Sequence, residues 1–297
     1  MDRQLRPAVI STKQDGAIAF LVTSHSRTDK YIPLVRDLLD TFWSEHPPWY
    51  FLTDGVSQPS GDILSFPGLT WIELFSAGLA RIRRDRPQTK YVFHMLEDHC
   101  PLRPCDGDRL GRIFEIAGRN ELAVVSFPTY SWPWHETDAT IYPDGLVRTW
   151  RLTETVELDG ELLAVVPPDF FRYFQVQPAL WRLDYLEAAC VYAMAQGVTD
   201  AWAFEAMRWP NVGRHYVSRF DWPTVHHGFL VQGKLNPAAI VYLDRKRAAP
   251  SHRALVRDAI GIESPMLFDS IQMLIRTKRL IRRGLAGVKK RVSAKAQ

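Results

Sequence analysis

Residues 91–102 read YVFHMLEDHCPL, and this stretch decides the fold. Its first half is a short apolar run of the kind that forms a buried strand, and the run stops abruptly at Glu97, Asp98 and His99. A strand that is apolar on both faces is typical of a parallel sheet covered by helices. Because ligands of open α/β sheets bind outside the carboxyl ends of the strands, we expect these three side chains at the edge of a cleft.

Strands and helices alternate on both sides of this stretch. Short apolar runs predict strands at Ala17–Thr23, Trp49–Thr53, Lys90–Leu96 and Leu122–Phe127. Apolar residues at helical spacing predict helices at Tyr31–Trp43, Ile72–Arg84, Arg109–Ala117 and Asp184–Gln196. Residues 128–168 are rich in Trp, Pro and turn residues, which favours short antiparallel strands and loops. The pattern predicts an α/β fold with a mainly parallel, Rossmann-like sheet flanked by helices.

The positive charge of the chain is concentrated at its C-terminal end. The net charge is +4, and residues 276–297 carry nine Lys and Arg residues and no acidic residue. Apolar residues recur at helical intervals within 266–292, so we expect a basic amphipathic helical tail. Such a tail either lies on an anionic membrane surface or packs its apolar stripe on the main domain. The expected organisation is a leader (1–15), a main domain (16–248) and the tail (249–297).

The composition of the chain indicates which cellular compartment and which classes of partner to expect. The N-terminus lacks the apolar run of a signal peptide, and no stretch of the sequence has the length of apolar residues that a membrane span needs. Three cysteines, Cys100, Cys105 and Cys190, are too few and too irregular for a disulfide framework. We therefore expect a cytoplasmic protein, peripheral at the inner face of the membrane where the tail docks, and no nucleic-acid partner.

The acidic triplet has the chemistry of a divalent-cation site. Carboxylates are the oxygen ligands that Mg²⁺ and Mn²⁺ prefer, and Mn²⁺ also accepts histidine. Glu97, Asp98 and His99 are the candidate ligands, and a cation held there could bridge a diphosphate and neutralise the charge of a leaving nucleoside diphosphate. The alternative is that these residues are ordinary polar residues at the start of a loop.

The longer stretch Phe75–Leu102 resembles the central signature of GT-A glycosyltransferases. In that family, a helix with a Gly and an Arg leads into a buried strand that ends in an acidic metal motif. Gly78 and Arg81 match the helix positions, and residues 97–99 match the acidic motif, which here reads E-D-H and departs from the family's D-x-D. The resemblance extends over about residues 17–205.

The resemblance implies a GT-A domain that binds a nucleotide-sugar donor of the UDP or GDP type. Ser24 and Arg27 match the family's nucleotide-contacting loop after the first strand, and Asp54 matches an acidic contact to the uridine or ribose. The implied donor-binding residues are Ser24, Arg27, Asp54, Gly78, Arg81, Glu97 and Asp98.

The second half of such a domain shapes the acceptor site and supplies the catalytic base. Residues 175–185 (QVQPALWRLDY) and 201–205 (AWAFE) resemble the stretches that precede and include the base, which makes Glu205 the first candidate and Asp200 its rival. The alternative is that Asp200 caps a helix and Glu205 pairs with Arg208. The further acceptor or phosphate candidates are Trp202, Gln177, His226, His227 and Lys234.

These residues imply the transfer of a sugar to a hydroxyl of a sugar or lipid-linked acceptor, in envelope or polysaccharide synthesis. If Glu205 is an in-line base the transfer inverts the anomeric centre, which is the favoured outcome, and if it is not, a retaining route is open. A second hypothesis from the same sequence is an inactive GT-A-fold scaffold at the membrane, because the E-D-H triplet departs from the family motif. A third is a metal-dependent hydrolase, which requires Asp98, His99, His226 and His227 to converge on one ion.

Overall fold

The computed structural model describes residues 16–55, 61–128, 138–141, 147–150, 154–168, 174, 176–210, 213–220, 222–224, 230–231 and 234–235, with the backbone alone at 138–141, 147–150, 231 and 234–235. The chain divides into two compact units, Met1–His226 and His227–Gln297. The leader, the tail and the boundary predicted after residue 248 lie outside the described residues, and so remain predictions. Among the described helices, none combines the length and apolar composition needed to cross a bilayer.

The four predicted helices are confirmed, with ends within two residues of the expected positions. They are α1 (Ile32–Phe42), α2 (Trp71–Asp85), α3 (Gly107–Arg119) and α4 (Leu183–Ala195), and a short fifth helix, α5, covers Ala201–Glu205. Local capping explains two of the starts. Thr70 and Glu73 form a capping box at α2, and the Asp106 side chain accepts a hydrogen bond of 3.0 Å from the Arg109 amide at α3.

The strands that belong to one large sheet are β1 (Ile18–Thr23), β2 (Trp49–Thr53), β3 (Ile63–Ser65), β4 (Tyr91–Leu96), β5 (Val124–Ser126), β8 (Thr155–Leu158), β9 (Glu161–Val166), β10 (Ala179–Arg182) and β11 (His215–Ser218). Two separate hairpins pair β6 (Asp138–Ile141) with β7 (Val147–Trp150), and β12 (Leu230–Val231) with β13 (Lys234–Leu235). All four predicted strands are present.

The nine-stranded sheet has the order β3-β2-β1-β4-β10-β5-β11-β9-β8 and is mixed, which corrects the prediction of a mainly parallel sheet. Strands β3, β2, β1 and β4 are parallel to one another, whereas β10 runs antiparallel to both of its neighbours, β4 and β5. At the far edge β8 and β9 form a hairpin. Its turn residues, Asp159 and Gly160, both have positive φ (49° and 81°), as a tight Asp-Gly hairpin turn requires.

Helices cover both faces of the sheet. Phe93 and His94 are consecutive in β4 and so point to opposite faces. Phe93 packs on Phe114 of α3 with ring centroids 5.8 Å apart, while His94 packs on Phe75 of α2 at 4.7 Å. The neighbouring strand β1 is also buried on both faces, and Phe20 and Leu21, which point to opposite faces, are fully inaccessible. This two-sided burial is the reason that the sequence of β1 is a continuous apolar run.

Candidate functional site

The topology brings the loops after β1 and β4 to one place. From β1 the chain proceeds outward through β2 and β3, and it then returns to form β4 on the other side of β1. In the parallel register Thr23 at the end of β1 lies beside Leu96 at the end of β4. Open α/β sheets bind ligands outside the carboxyl ends of the strands where the strand order reverses in this way. The residues that follow Thr23 and Leu96 are therefore placed at the expected ligand position.

A cleft of about 340 Å³ lies at this edge of the sheet. Its polar lining comes from the ends of β1, β2 and β4, and its apolar lining comes from the start of α2 and of α5. The lining residues are Thr23, Ser24, His25, Asp54, Leu69, Trp71, Leu74, Leu96, Glu97, Thr199, Asp200 and Ala201. Four residues selected from the sequence, Ser24, Asp54, Glu97 and Asp200, thus share one cleft.

Glu97 is held at the cleft by the loop that follows β1. Its Oε1 accepts a hydrogen bond of 2.8 Å from the Thr28 hydroxyl, and the Thr28 oxygen lies 2.9 Å from the Ser24 hydroxyl. Burial, together with the neighbouring Asp98, raises the pKa of Glu97 to about 8, although the Thr28 hydrogen bond acts in the opposite direction. This environment favours the protonated form of Glu97 at neutral pH, and a bound cation or hydrogen-bond donor would favour the ionised form.

Asp54 ties the end of β2 to the same loop. Its Oδ1 accepts a hydrogen bond of 2.5 Å from the Ser26 amide, and its Oδ2 lies 3.5 Å from Nε2 of His25. Below them, His94 of β4 lies with its Nε2 2.5 Å from the Thr23 hydroxyl on the cleft floor. Burial lowers the pKa of His94 to about 3, so this ring is neutral at physiological pH.

Asp98 and His99 are not among the described residues that line the cleft. Asp98 Oδ1 lies 3.6 Å from His99 Nε2, and it is buried without a hydrogen-bond partner in the described part of the chain. Burial raises the pKa of Asp98. A later segment covers this turn, since Trp222 Nε1 donates to the His99 carbonyl (2.7 Å) and the Thr224 hydroxyl donates to the Cys100 carbonyl (2.8 Å).

The described residues do not by themselves complete a metal site. Asp98 and His99 offer two neighbouring donors, and the buried, unpartnered Asp98 oxygen has the chemistry of a cation ligand. However, no group of three His, Cys, Asp or Glu side chains within the described ranges has the arrangement to hold an ion. The cation therefore remains a prediction.

Asp200 and Glu205 occupy different environments at the two ends of α5. Asp200 lines the cleft and caps the helix, with its Oδ1 accepting from the Ala203 amide at 2.8 Å. Glu205 is buried, its Oε1 accepts from the Val176 amide at 3.1 Å, and it is not among the described lining residues. Arg208, the predicted partner of Glu205, donates to the Pro168 carbonyl at 3.2 Å. Of the two candidate bases, Asp200 thus lines the described cleft and Glu205 does not, and the role of either remains a prediction.

Three other donor candidates lie away from the described cleft lining. Arg27 is exposed on the loop after β1. Gly78 packs against Leu52 of β2 so closely that a Cβ atom would overlap the leucine side chain. Arg81 pairs with Asp85 one turn later on α2, at 2.5 Å. In the described structure Gly78 thus allows close packing on β2 and Arg81 forms an ion pair within α2, and their donor-binding role remains a prediction.

The remaining acceptor candidates are only partly described. Gln177 is half-buried beside Val176 and outside the described lining, and Trp202 is 69% exposed on α5. His226 and His227 lie outside the described residues, as does the side chain of Lys234 in β13. The hydrolase hypothesis requires four ligands to converge on one ion, and it remains a prediction because two of them lie outside the described residues.

No protein-family model matches the chain, and no curated protein is significantly similar to it. The geometry of the cleft and the chemistry of its residues consequently carry the functional argument.

Sequence reasoning missed the apolar wall of the cleft, formed by Leu69, Trp71 and Leu74. A signal was available, because Thr70 and Glu73 have the spacing of a capping box and mark Trp71 as the first residue of a helix. A helix that follows a parallel strand begins at the carboxyl edge of the sheet, where ligands bind. Trp71 could therefore have been placed at the site from the sequence.

Proposed function

We propose that the protein is a GT-A-type glycosyltransferase that moves a sugar from a nucleoside-diphosphate sugar to an acceptor hydroxyl. The observation that carries the proposal is that Glu97 and Asp200 share one cleft at the point where the strand order reverses. The resemblance of Phe75–Leu102 to GT-A glycosyltransferases adds support, because the cleft lies where that resemblance implies the donor site.

The polar end of the cleft suits the nucleoside and sugar of a donor. Ser24 and His25 offer a hydroxyl and an imidazole, and Asp54 offers a carboxylate that can accept from ribose hydroxyls. Glu97, at the end of β4, faces the same space and can accept from a sugar hydroxyl when it is ionised. A small number of fixed polar groups beside an apolar wall is the composition of sites that bind small molecules.

Asp200 is the general base in this proposal. A base must reach the proton of the attacking hydroxyl, and Asp200 is the reachable carboxylate on α5. The hydrogen bond from the Ala203 amide to Oδ1 fixes the carboxylate, while Oδ2 can accept a hydrogen bond from the hydroxyl of the acceptor substrate. The proton of the acceptor hydroxyl passes to Asp200 as the oxygen attacks the anomeric carbon and the nucleoside diphosphate leaves. A single in-line base inverts the anomeric centre.

A diphosphate donor would need positive charge that the described lining of the cleft does not supply. Asp54, Glu97 and Asp200 line the cleft, and its described lining contains no Lys or Arg. A diphosphate would be repelled at such a site. A divalent cation, for which Glu97, Asp98 and His99 are the predicted ligands, would supply the missing charge as a Lewis acid on the phosphates.

Calorimetry with UDP and GDP, each with and without Mn²⁺, tests the proposal. We expect binding of one nucleotide to weaken at least tenfold when EDTA replaces Mn²⁺. In the presence of Mn²⁺, Glu97→Gln should also weaken nucleotide binding relative to the unmodified protein. Asp108→Asn on α3, outside the cleft lining, should not. Failure of both nucleotides to bind in any condition would contradict the transferase proposal.

An inactive scaffold is the second candidate, and one observation favours it: two of the three residues of the E-D-H triplet, Asp98 and His99, lie outside the described lining of the cleft. A scaffold predicts no metal-dependent nucleotide binding, so the same calorimetry separates the two.

Under either proposal the basic tail at 276–297 docks the protein on the inner face of the membrane, and in the transferase it brings the cleft to an envelope or lipid-linked acceptor.

A further inference from the structure

Strand β4 carries a histidine in the middle of an apolar run, and the proposed reaction does not use it. His94 is 1% exposed, and the residues on either side of it, Phe93 and Met95, are fully inaccessible. Burial lowers the pKa of His94 to about 3, so the ring is neutral but still polar. A buried polar ring costs free energy unless it is hydrogen-bonded, and an apolar residue would suit this strand better. The contact that His94 makes therefore indicates what the ring does.

The contact of His94 leads to the floor of the cleft. Its Nε2 lies 2.5 Å from the hydroxyl oxygen of Thr23, which is the last residue of β1 and lines the cleft. Leu21 lies beside His94 in the parallel register, and side chains two residues apart on a strand share a face, so Thr23 and His94 lie on the same face of the sheet. Phe75 of α2 packs on the imidazole, with ring centroids 4.7 Å apart. The ring is thus held between the sheet and α2, and it in turn orients the hydroxyl.

A hydroxyl held in this way keeps a hydrogen-bonding position for a ligand. A hydroxyl has one proton and two lone pairs, and a neutral imidazole has one donor and one acceptor nitrogen. If Thr23 donates to His94, its oxygen can still accept from a ligand; if His94 donates, the Thr23 proton is available to a ligand. Both groups are uncharged, so they add a hydrogen bond without adding charge to a cleft that Asp54, Glu97 and Asp200 already line. Thr23 is itself 1% exposed, so only a ligand that reaches the floor can use it.

We propose that His94 is a positioning residue, which orients the Thr23 hydroxyl at the floor of the cleft so that this hydroxyl binds the ligand. Thr23 makes the contact, and His94 acts through it. The inference rests on the proposed transferase for the identity of the ligand, a nucleoside diphosphate. It adds two residues to the site that the resemblance to GT-A glycosyltransferases does not imply. The alternative is a structural role, in which the pair only satisfies two buried polar groups and binding does not depend on it.

A double-mutant cycle, read by both stability and affinity, separates the two roles. Thr23→Val keeps the shape of the side chain and removes its hydroxyl, and His94→Leu removes the ring nitrogens. Each single change leaves one buried polar group without its partner, so each should lower the denaturant concentration at the midpoint of unfolding. The double variant replaces both polar groups by apolar ones and should recover most of that loss.

Affinity should not recover with stability. Calorimetry with UDP and GDP, each with Mn²⁺, measures it on the full-length protein. Both single variants should bind the nucleotide about three- to tenfold more weakly than the unmodified protein, which is the effect of one hydrogen bond between uncharged groups. Because His94 acts through Thr23, the double variant should bind no more weakly than Thr23→Val alone, and no more tightly.

Two further variants serve as controls. Thr23→Ser, which keeps a hydroxyl, should bind the nucleotide within about threefold of the unmodified protein. Tyr185→Phe removes another buried hydroxyl, which lies 2.8 Å from Nε2 of His215 and outside the described lining of the cleft. It should lower stability and leave affinity unchanged.

The outcomes separate this inference from the proposed function. The positioning role is refuted if Thr23→Val or His94→Leu binds nucleotide as well as the unmodified protein does, or if the double variant recovers affinity together with stability. A protein that binds UDP or GDP through Thr23 and transfers no sugar retains the inference and refutes the transferase. A protein that binds neither nucleotide refutes both.

Discussion

Replacing Glu97 with glutamine should stabilise the protein at alkaline pH. Burial and Asp98 raise the pKa of Glu97 from 4.5 to about 8, so the folded protein holds a proton that the unfolded chain releases. Stability due to this group is fully present below the unfolded pKa and is lost as pH rises through the window from about 4.5 to about 8. Glutamine is neutral throughout and its amide oxygen can still accept from Thr28, so the loss should disappear.

The magnitude follows from the size of the shift. A shift of one pKa unit corresponds to about 1.4 kcal/mol. Asp98 also takes up a proton in this pocket, so part of the loss of stability at alkaline pH remains when Glu97 alone is replaced. We expect Glu97→Gln to be more stable than the unmodified protein by about 2 kcal/mol at pH 8 and by less than about 0.5 kcal/mol at pH 5.

The assay is denaturant unfolding from pH 5 to pH 8, read as the difference between variant and unmodified protein. The difference is needed because buried His94, whose pKa is lowered to about 3, makes stability rise with pH up to about 6.5 and partly masks the Glu97 effect. Glu154→Gln, at an exposed carboxylate, is the control. A difference that stays constant with pH, or a variant less stable at pH 8, would refute the reasoning.

Four further predictions concern Gly78, the two candidate bases and the basic tail. Gly78→Ala should cost about 1–3 kcal/mol in denaturant unfolding, because the methyl group overlaps Leu52, whereas Gly118→Ala on α3, where a Cβ meets nothing within 4 Å, should be neutral or stabilising by up to about 1 kcal/mol. Asp200→Asn should abolish sugar transfer at an unchanged melting temperature, since asparagine caps a helix as well as aspartate; a large fall in melting temperature would show a structural role instead. Glu205→Gln should retain transfer within about threefold, and activity lost there with binding intact would return the role of base to Glu205. Replacing the nine basic residues of 276–297 with glutamine should abolish sedimentation with anionic vesicles, and unchanged sedimentation would reject membrane docking.

The fold was predictable where burial leaves a pattern in the local sequence. Strands β1 and β4 are buried on both faces, so their continuous apolar runs identify them. Strand β10 has only four residues, ALWR, and its place between β4 and β5 depends on partners about 55 to 90 residues away in the sequence. No local pattern specifies an antiparallel insertion of this kind, and for that reason the sheet was expected to be mainly parallel.

The candidate site was predictable to the same extent. The end of an apolar strand locates Glu97 at the carboxyl edge of the sheet, whichever way its side chain turns. The directions of Asp98 and His99 depend on contacts made by Trp222 and Thr224, which follow more than 120 residues later. Likewise, the sequence AWAFE does not reveal that Glu205 is buried while Asp200, just before it, lines the cleft.

The two carboxylates of the proposed reaction differ in a way that fits their roles. Glu97 is half-buried, and burial together with Asp98 outweighs its hydrogen bond from the Thr28 hydroxyl, so its charge is costly until a ligand compensates it. Asp200 lies exposed at a helix start, where its Oδ1 accepts a hydrogen bond from the Ala203 amide, and it lines the cleft. A ligand that brings positive charge or hydroxyl donors to Glu97 would therefore lower the cost of its ionised form, whereas Asp200 depends on no such ligand for its hydrogen bond.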